Sequence, residues 1–203
     1  MLRDTENQDS KSLDREKAKQ NICDAAIRCF ERYGLQRTSM ADISEEAGIS
    51  RKTLYRIFDD RPALIEYILK QRMYLLSIKV REKISQYTGF EETILECSIY
   101  SLRVSREDML FNEIIKRDTN HRVEMFLFGP RGQFKADVID LWGGVIKKGR
   151  AENLVRKDLS DERIVELLSN IHALLLIRDD YDETDQRKFL KEFLLPALRP
   201  IDA

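Results

Sequence analysis

The sequence predicts an all-α protein of about nine helices, and three observations carry that prediction. Gly and Pro are scarce, 8 and 4 in 203 residues, which argues against a turn-rich all-β chain. Apolar residues recur at three- and four-residue steps in segment after segment, the spacing of one buried helix face. No stretch alternates with the period of two that marks a half-buried strand. The chain is 42% hydrophobic, enough for a core, and 35% charged, so its helices should carry both signs on their outer faces.

Taken in order, residues 1–14 hold only two apolar side chains, Met1 and Leu13, and read as a mobile arm. From Arg15 a stripe begins, Ile22, Ala25, Ala26, Cys29, Phe30 and Tyr33, and Gly34 ends that helix. Ser39 caps a short helix, with Asp42 at its third position near the positive end, and Gly48 closes it. Ser50 caps a second short helix that runs to about Phe58. Asp59 and Asp60 stop it and cap a long helix from Arg61, with Pro62 harmless in the first turn. That helix carries Ile65, Leu69, Met73, Leu76, Val80 and Ile84 on one face, and Gly89 is read as its close. Further helices follow around Ile94–Leu102 and Met109–Ile115, then Phe134–Val145, the last fraying near Gly149. The final stripes are Ile164–Leu175 and Phe189–Leu198. The segment 118–129 has no clear pattern. The resulting organisation is an arm over 1–14, a three-helix unit over 15–60 and a larger helical bundle over 61–203.

Composition excludes several function classes. Lys and Arg number 35 against 36 Asp and Glu, so binding of a polyanion by bulk positive charge is ruled out. Residues 1–60 hold 11 basic and 12 acidic side chains, so any basic patch there must be local. Its members would be Lys17, Lys19, Arg37, Arg51, Lys52, Arg56 and Arg61, with Asp42, Glu45 and Glu46 facing away. Three Cys cannot all pair within one chain, and no signal peptide is evident, which together predict a reduced, cytoplasmic protein. Apolar runs all fall short of a membrane span. Neither a phosphate-binding glycine loop nor a nucleophile elbow is present, so an enzyme is disfavoured. His121 and Glu124 have metal-ligand spacing but no second pair, so no metal or other cofactor is expected.

The segment Met40–Phe58 carries the most information. Two short helices meet at Ala47-Gly48-Ile49-Ser50, with Ile43, Ala47, Ile49, Leu54 and Ile57 or Phe58 free to turn inward. Gly48 stands where a left-handed residue is needed. This is helix-turn-helix spacing. The second helix leaves Arg51, Lys52, Thr53, Tyr55 and Arg56 for solvent or for the major groove, where Arg and Lys reach guanine acceptors.

Those residues, with Ile22-Cys23-Asp24-Ala25-Ala26 through Phe30 and Gly34, Thr38-Ser39-Met40-Ala41-Asp42-Ile43 and Thr53-Leu54-Tyr55-Arg56-Ile57-Phe58, resemble the TetR family of bacterial transcriptional repressors over about residues 15–70. The resemblance implies a DNA-binding homodimer whose helical bundle takes a small-molecule effector of unknown identity. It places Thr38 and Tyr55 on phosphates, Ser39, Ser50, Arg51, Lys52, Thr53 and Arg56 near bases or backbone, and Arg61 on a further phosphate. Lys52 stands where the family usually has Gly or Ala, Ile57 where it often has His or Tyr, and Pro62 where Glu is common. Tyr100, Phe111, Phe126, Trp142 and His172 are the candidate lining of an effector cavity. The last two apolar stripes, through Leu167, Leu168, Ile171, Leu175, Phe189, Phe193 and Leu194, are the candidate dimer seam. The competing reading is a DNA-bound architectural or partner-binding protein without an inducer.

Overall fold

The computed structural model describes residues 2–117 and 133–201. All regular structure among the described residues is helical, as the sequence predicts. The helices are α1 (Leu2–Tyr33), α2 (Met40–Glu46), α3 (Arg51–Ile57), α4 (Arg61–Ile84), α5 (Phe90–Glu107) and α6 (Met109–Arg117). Then come α7 (Gln133–Ala151), α8 (Asp161–Ile177) and α9 (Glu183–Phe189), which passes through a π turn (Leu190–Leu194) into α10 (Leu195–Leu198). Among the described residues, none of these helices is long and apolar enough to cross a membrane.

The chain divides into two compact units, Met1–Ile68 and Leu69–Ala203. The division falls inside α4 rather than at its start.

In the first unit α1 begins at Leu2, so residues 2–14 are helix rather than the arm expected. Glu, Gln, Lys and Arg are good helix formers, and the segment extends a helix already anchored further along. The anchor is the expected stripe: Ile22, Cys23, Ala25, Ala26, Cys29 and Phe30 are all buried. Tyr33, expected in that stripe, is exposed at the helix end, with the Arg32 guanidinium 5.6 Å from its ring. Ile43 of α2, Leu54 of α3 and Leu64 of α4 complete this core.

The second unit is built around α5, which packs against α6, α7, α8, α9 and α10. Accordingly it buries residues on several faces, among them Phe90, Ile94, Cys97, Ser98 and Leu102. Gly89 does not close α4, which ends at Ile84; it is the N-cap of α5, at an ordinary φ of −79°. Arg106 ties the C-terminal end of α8 to α5, donating to the carbonyls of Leu175 (2.8 Å), Arg178 (2.7 Å) and Tyr181 (3.1 Å). The first two are oxygens that the end of α8 leaves without intrahelical donors, and the third lies in the connection to α9.

Helix α7 does not fray at Gly149 but continues to Ala151. At Gly149 α7 lies close against its neighbours: a Cβ there would lie 2.5 Å from Phe90 Cδ2 and 2.6 Å from Val155 Cγ2. Gly149→Ala should therefore destabilise the fold by about 1–3 kcal/mol through overpacking, despite alanine's better helix propensity. Gly144→Ala, in the same helix with open space around it, should not destabilise. Urea melts of the two variants check this.

The expected dimer seam divides. Leu168, Leu175 and Leu194 are fully buried within the chain's own core and cannot supply an interface. Leu167, Ile171 and Phe189 are half-buried and Phe193 is exposed. The π turn explains the split between neighbours: an extra residue per turn lets Leu194 and Leu195 both face inward, leaving Phe193 outside.

Candidate nucleic-acid interface and effector cavity

The turn between α2 and α3 is built by local chemistry. At its start, Ser39 and Asp42 form a reciprocal cap: the Asp42 N–H donates to Ser39 Oγ (3.2 Å) and the Ser39 N–H to Asp42 Oδ2 (2.8 Å). The Ser39 N–H and, at 2.7 Å, the Ser39 hydroxyl both donate to the Asp42 carboxylate and hold it below its ordinary range. Gly48 takes φ +65°, the left-handed conformation that lets the Ile49 N–H reach back to the Ser44 carbonyl (3.0 Å). Asn21 of α1 donates to the Ala47 carbonyl (3.1 Å) and so pins the turn to α1. Ser50 then caps α3, its Oγ accepting from the Thr53 N–H (3.1 Å).

Helix α3 is held by one fully buried residue, Leu54, followed by Phe58, whose ring meets Tyr67 edge-on at 5.5 Å. Arg51, Lys52, Tyr55 and Arg56 are exposed, and Thr53 is half-buried. Lys52, Tyr55 and Arg56 form no hydrogen bond or ion pair with described residues. Two of the nearby acids are engaged, Asp42 by Ser39 and Glu46 by α1. Glu46 accepts from Arg28 (2.7 Å) and Arg32 (3.2 Å), which keep its carboxyl below the ordinary range. Lys19, expected in the basic patch, is spent on Glu16 (2.7 Å) and the Tyr67 ring.

Two expected phosphate ligands sit elsewhere. Thr38 is 3% exposed, and its hydroxyl donates inward to the carbonyls of Gly34 (3.0 Å) and Cys29 (3.2 Å). A Thr hydroxyl has one proton, so none is left for a phosphate. Arg61 donates to the Leu35 carbonyl, and its guanidinium lies 5.9 Å from the Phe30 ring. Its Nε is buried without a partner, and burial lowers its pKa. Arg61 is therefore a strut between the α1–α2 connection and α4. Nothing in its residue type distinguishes a strut from a phosphate ligand. The role of Asn21, missed in the sequence, has no periodic signal either.

The second unit holds an apolar cavity of about 110 Å³ lined by Met73, Leu102, Phe111, Leu141, Trp142, His172 and Leu176, with the hydroxyls of Ser101, Ser105 and Ser169. A chamber of about 140 Å³ shares Met73, Ser101, Ser105, Phe111, Val138 and Leu141 with it and carries Arg81, Asp137 and Asp140 in its lining. Of the candidate lining residues, Phe111, Trp142 and His172 line the same chamber. Tyr100 does not: it lines neither chamber, and Lys83 and Arg103 lie 5.8 and 5.5 Å from its ring. Phe126 lies outside the described residues, as do His121 and Glu124. Met73, expected only as part of the α4 stripe, Leu141 and the three serines were not among the candidate lining.

His172 meets Trp142 edge-to-face at 5.9 Å, and its Nε2 is buried with no hydrogen-bond partner. Burial pushes its pKa down from 6.5 to about 4. Because the folded value lies below the unfolded one, the unfolded chain binds more protons between those values, and stability falls as pH falls through that window. From pH 7 to 4.5 this group alone should remove about 2 kcal/mol. The difference between wild type and His172→Gln in denaturant melts at the two pH values isolates it from the carboxylates. The thiols offer no comparable chemistry: all three are buried, and burial raises Cys23 to about 12 and Cys97 to about 11.

Comparison with known proteins meets this geometry at the helix-turn-helix. Residues 22–68 match the family model described as bacterial regulatory proteins, tetR family. Residues 22–68 are thus a helix-turn-helix unit of the tetR-family type. The sequence relatives carry the names of DNA-binding transcriptional regulators. Among curated relatives, the HTH-type transcriptional repressor KstR2 of Rhodococcus jostii is 25% identical over 141 residues, 70% of this chain and 69% of that one. Among solved structures, a TetR-family regulator of Pectobacterium atrosepticum matches with a TM-score of 0.74 at 16% identity, over 92% of this chain and 96% of that one. FadR of Thermus thermophilus, a TetR-family repressor solved with lauroyl-CoA, matches with a TM-score of 0.68 at 20% identity, over 91% and 97%.

Proposed function

We propose that this chain is a TetR-family regulator, a cytoplasmic repressor that binds a near-palindromic operator as a homodimer and releases it when a small molecule enters the cavity of its second unit. The observation that carries the reading is the coexistence of two features. One is an α3 surface that exposes Arg51, Lys52 and Arg56; the other is a separate, largely apolar cavity in the second unit. The first suits a duplex, the second a ligand of modest size.

Helix α4 is the natural link. Its residues 61–68 belong to the DNA-binding unit, and Met73 further along the same continuous helix is a wall of the cavity. A ligand that prefers one position of that wall biases α4, and a bias of about 1–3 kcal/mol lowers operator affinity about 5–150-fold. The name of KstR2 as a repressor and the acyl-CoA held by Thermus thermophilus FadR support the reading by similarity. The exposed side chains of Leu174, Ile177 and Phe193 provide apolar area for a second copy.

Selection of bound sequences from random duplex DNA tests the operator, and light scattering of the free protein tests the dimer. A two-fold related site with half-site centres about 34 Å apart is expected. Enrichment of no sequence, or a stable monomer at micromolar concentration, would overturn the reading.

A further inference from the structure

Resting on the DNA-binding reading above, we infer that Asn21 is a positioning residue for α3. Together with Arg28 and Arg32 it clasps the C-terminal end of α2, and this clasp sets how sharply α3 discriminates one base sequence from another rather than how tightly the protein holds duplex DNA of any sequence.

The clasp is one face of one helix. Asn21, Arg28 and Arg32 are seven and four residues apart on α1, so their side chains share about 40° of its surface. All three donate to the end of α2: Asn21 Nδ2 to the Ala47 carbonyl at 3.1 Å, and Arg28 Nε and Arg32 Nη1 to different oxygens of the Glu46 carboxylate at 2.7 and 3.2 Å. Ala47 is the C-cap of α2, and its carbonyl is one that a helix end leaves without an intrahelical donor. Asn21 supplies that donor from another helix, 26 residues earlier in the chain. Because α1 runs unbroken from Leu2 to Tyr33 and is seated by its buried stripe, it holds the three donors at a fixed spacing.

The turn passes this constraint to α3. Gly48, Ile49 and Ser50 stand between Ala47 and the first residue of α3. Their backbone has little slack: the Gly48 N–H donates to the Glu45 carbonyl and the Ile49 N–H to the Ser44 carbonyl, both at 3.0 Å, and Ser50 caps α3. The buried anchors of α3, Leu54 and Phe58, lie beyond the residues of its start. They locate the far half of the helix, and the turn locates the end where Arg51 and Lys52 stand. A side chain that reads a base edge must be held within about 0.5 Å of its place. Attraction to phosphates is carried by charge, is independent of sequence and tolerates displacement. Loosening the clasp therefore degrades sequence reading first.

The test compares the wild-type chain with Asn21→Ala and with Asn21→Gln, which keeps an amide donor on a longer arm. Each is titrated with an operator selected by the wild type and with random-sequence duplex. Asn21→Ala should bind the operator about 10-fold more weakly, the effect of one hydrogen bond lost in each half-site, while affinity for random duplex changes less than about 2-fold. Asn21→Gln should recover most of the discrimination. Amide hydrogen exchange adds a readout free of DNA: the Ile49 amide should exchange about 10-fold faster in Asn21→Ala, and the Ala26 amide of α1 at the wild-type rate. Arg28→Gln should also narrow the gap between operator and random duplex, with the salt slope of binding unchanged, because its guanidinium faces Glu46.

Equal loss on operator and random duplex would make Asn21 a residue of general stability and overturn the inference. Full discrimination in Asn21→Ala, or Ile49 exchange at the wild-type rate, overturns it as well, and leaves the DNA-binding reading standing. A salt slope reduced by about one in Arg28→Gln would place that guanidinium on the DNA backbone and remove it from the clasp. Should Asn21→Ala fail to fold, Arg28→Gln, altered at an exposed side chain, carries the same comparison. A wild-type chain that prefers no sequence overturns the DNA-binding reading itself, and Ile49 exchange alone then decides whether Asn21 orders the turn.

Discussion

Leu194→Asp should prevent folding of the single chain. Leu194 lies in the π turn between α9 and α10 and is fully buried by its own protomer. A carboxylate there has no cation to pair with among its buried neighbours, and placing it costs several kcal/mol or forces it to stay protonated. Against a typical domain stability of about 5–15 kcal/mol, that loss is enough to unfold or aggregate the protein. The adjacent residue should behave oppositely. Phe193 is 58% exposed, its ring resting on Phe189 at 4.8 Å, so Phe193→Asp removes little intramolecular packing. Its melting temperature should stay close to wild type, while the proposed dimer, which buries that ring against the partner, should dissociate. Circular dichroism melts and light scattering on both variants check the pair. A folded, monomeric Leu194→Asp protein would mean that the residue belongs to a subunit seam, as the bare apolar stripe predicts.

That contrast shows what a stripe can and cannot say. Period and capping residues locate helices well: Ser39, Gly48 and Ser50 act as their types require, because a cap or a left-handed turn is solved within four residues. What a buried face packs against is not local. Leu168, Leu175 and Leu194 look like interface leucines in sequence and are core, because α5 sits among them and its central position is a property of topology. Gly149 is the same case in reverse: a glycine late in a helix reads as fraying, and only the Phe90 and Val155 side chains reveal that it is a close approach. The cavity was legible in part. Phe111, Trp142 and His172 stood out as large or polar side chains on apolar faces, but a residue that lines a void and one that fills it have the same hydropathy. Tyr100, equally aromatic, sits between two cations instead.

Loss of the α3 cations should weaken operator binding more than any other surface change, and in a way that separates reading from positioning. Arg51 and Lys52 stand in the first turn of α3, the end of a recognition helix that comes nearest the base edges. A side chain that reaches a guanine is worth about 1–3 kcal/mol, so each alanine variant should cost about 2–6 kcal/mol in a dimer that repeats the interaction in both half-sites. It should also relax the preference at one base pair per half-site. Tyr55 offers a neutral hydroxyl, so Tyr55→Phe should weaken all sequences alike with little change in the salt dependence. Arg56→Ala, if the guanidinium meets a phosphate, should reduce the log–log salt slope by about one for each phosphate it no longer neutralises. Arg61→Ala should do something else. Its guanidinium is bonded to the Leu35 carbonyl and packed over Phe30, so its removal should lower the melting temperature of the free protein and leave the salt slope of binding unchanged. The measurement is binding to a selected operator and its single-base variants at two salt concentrations, beside melts of the free proteins. A normal melt with a reduced salt slope for Arg61→Ala would put its guanidinium on the DNA backbone. Arg51→Ala and Lys52→Ala variants with undiminished base preference would move sequence reading away from the first turn of α3.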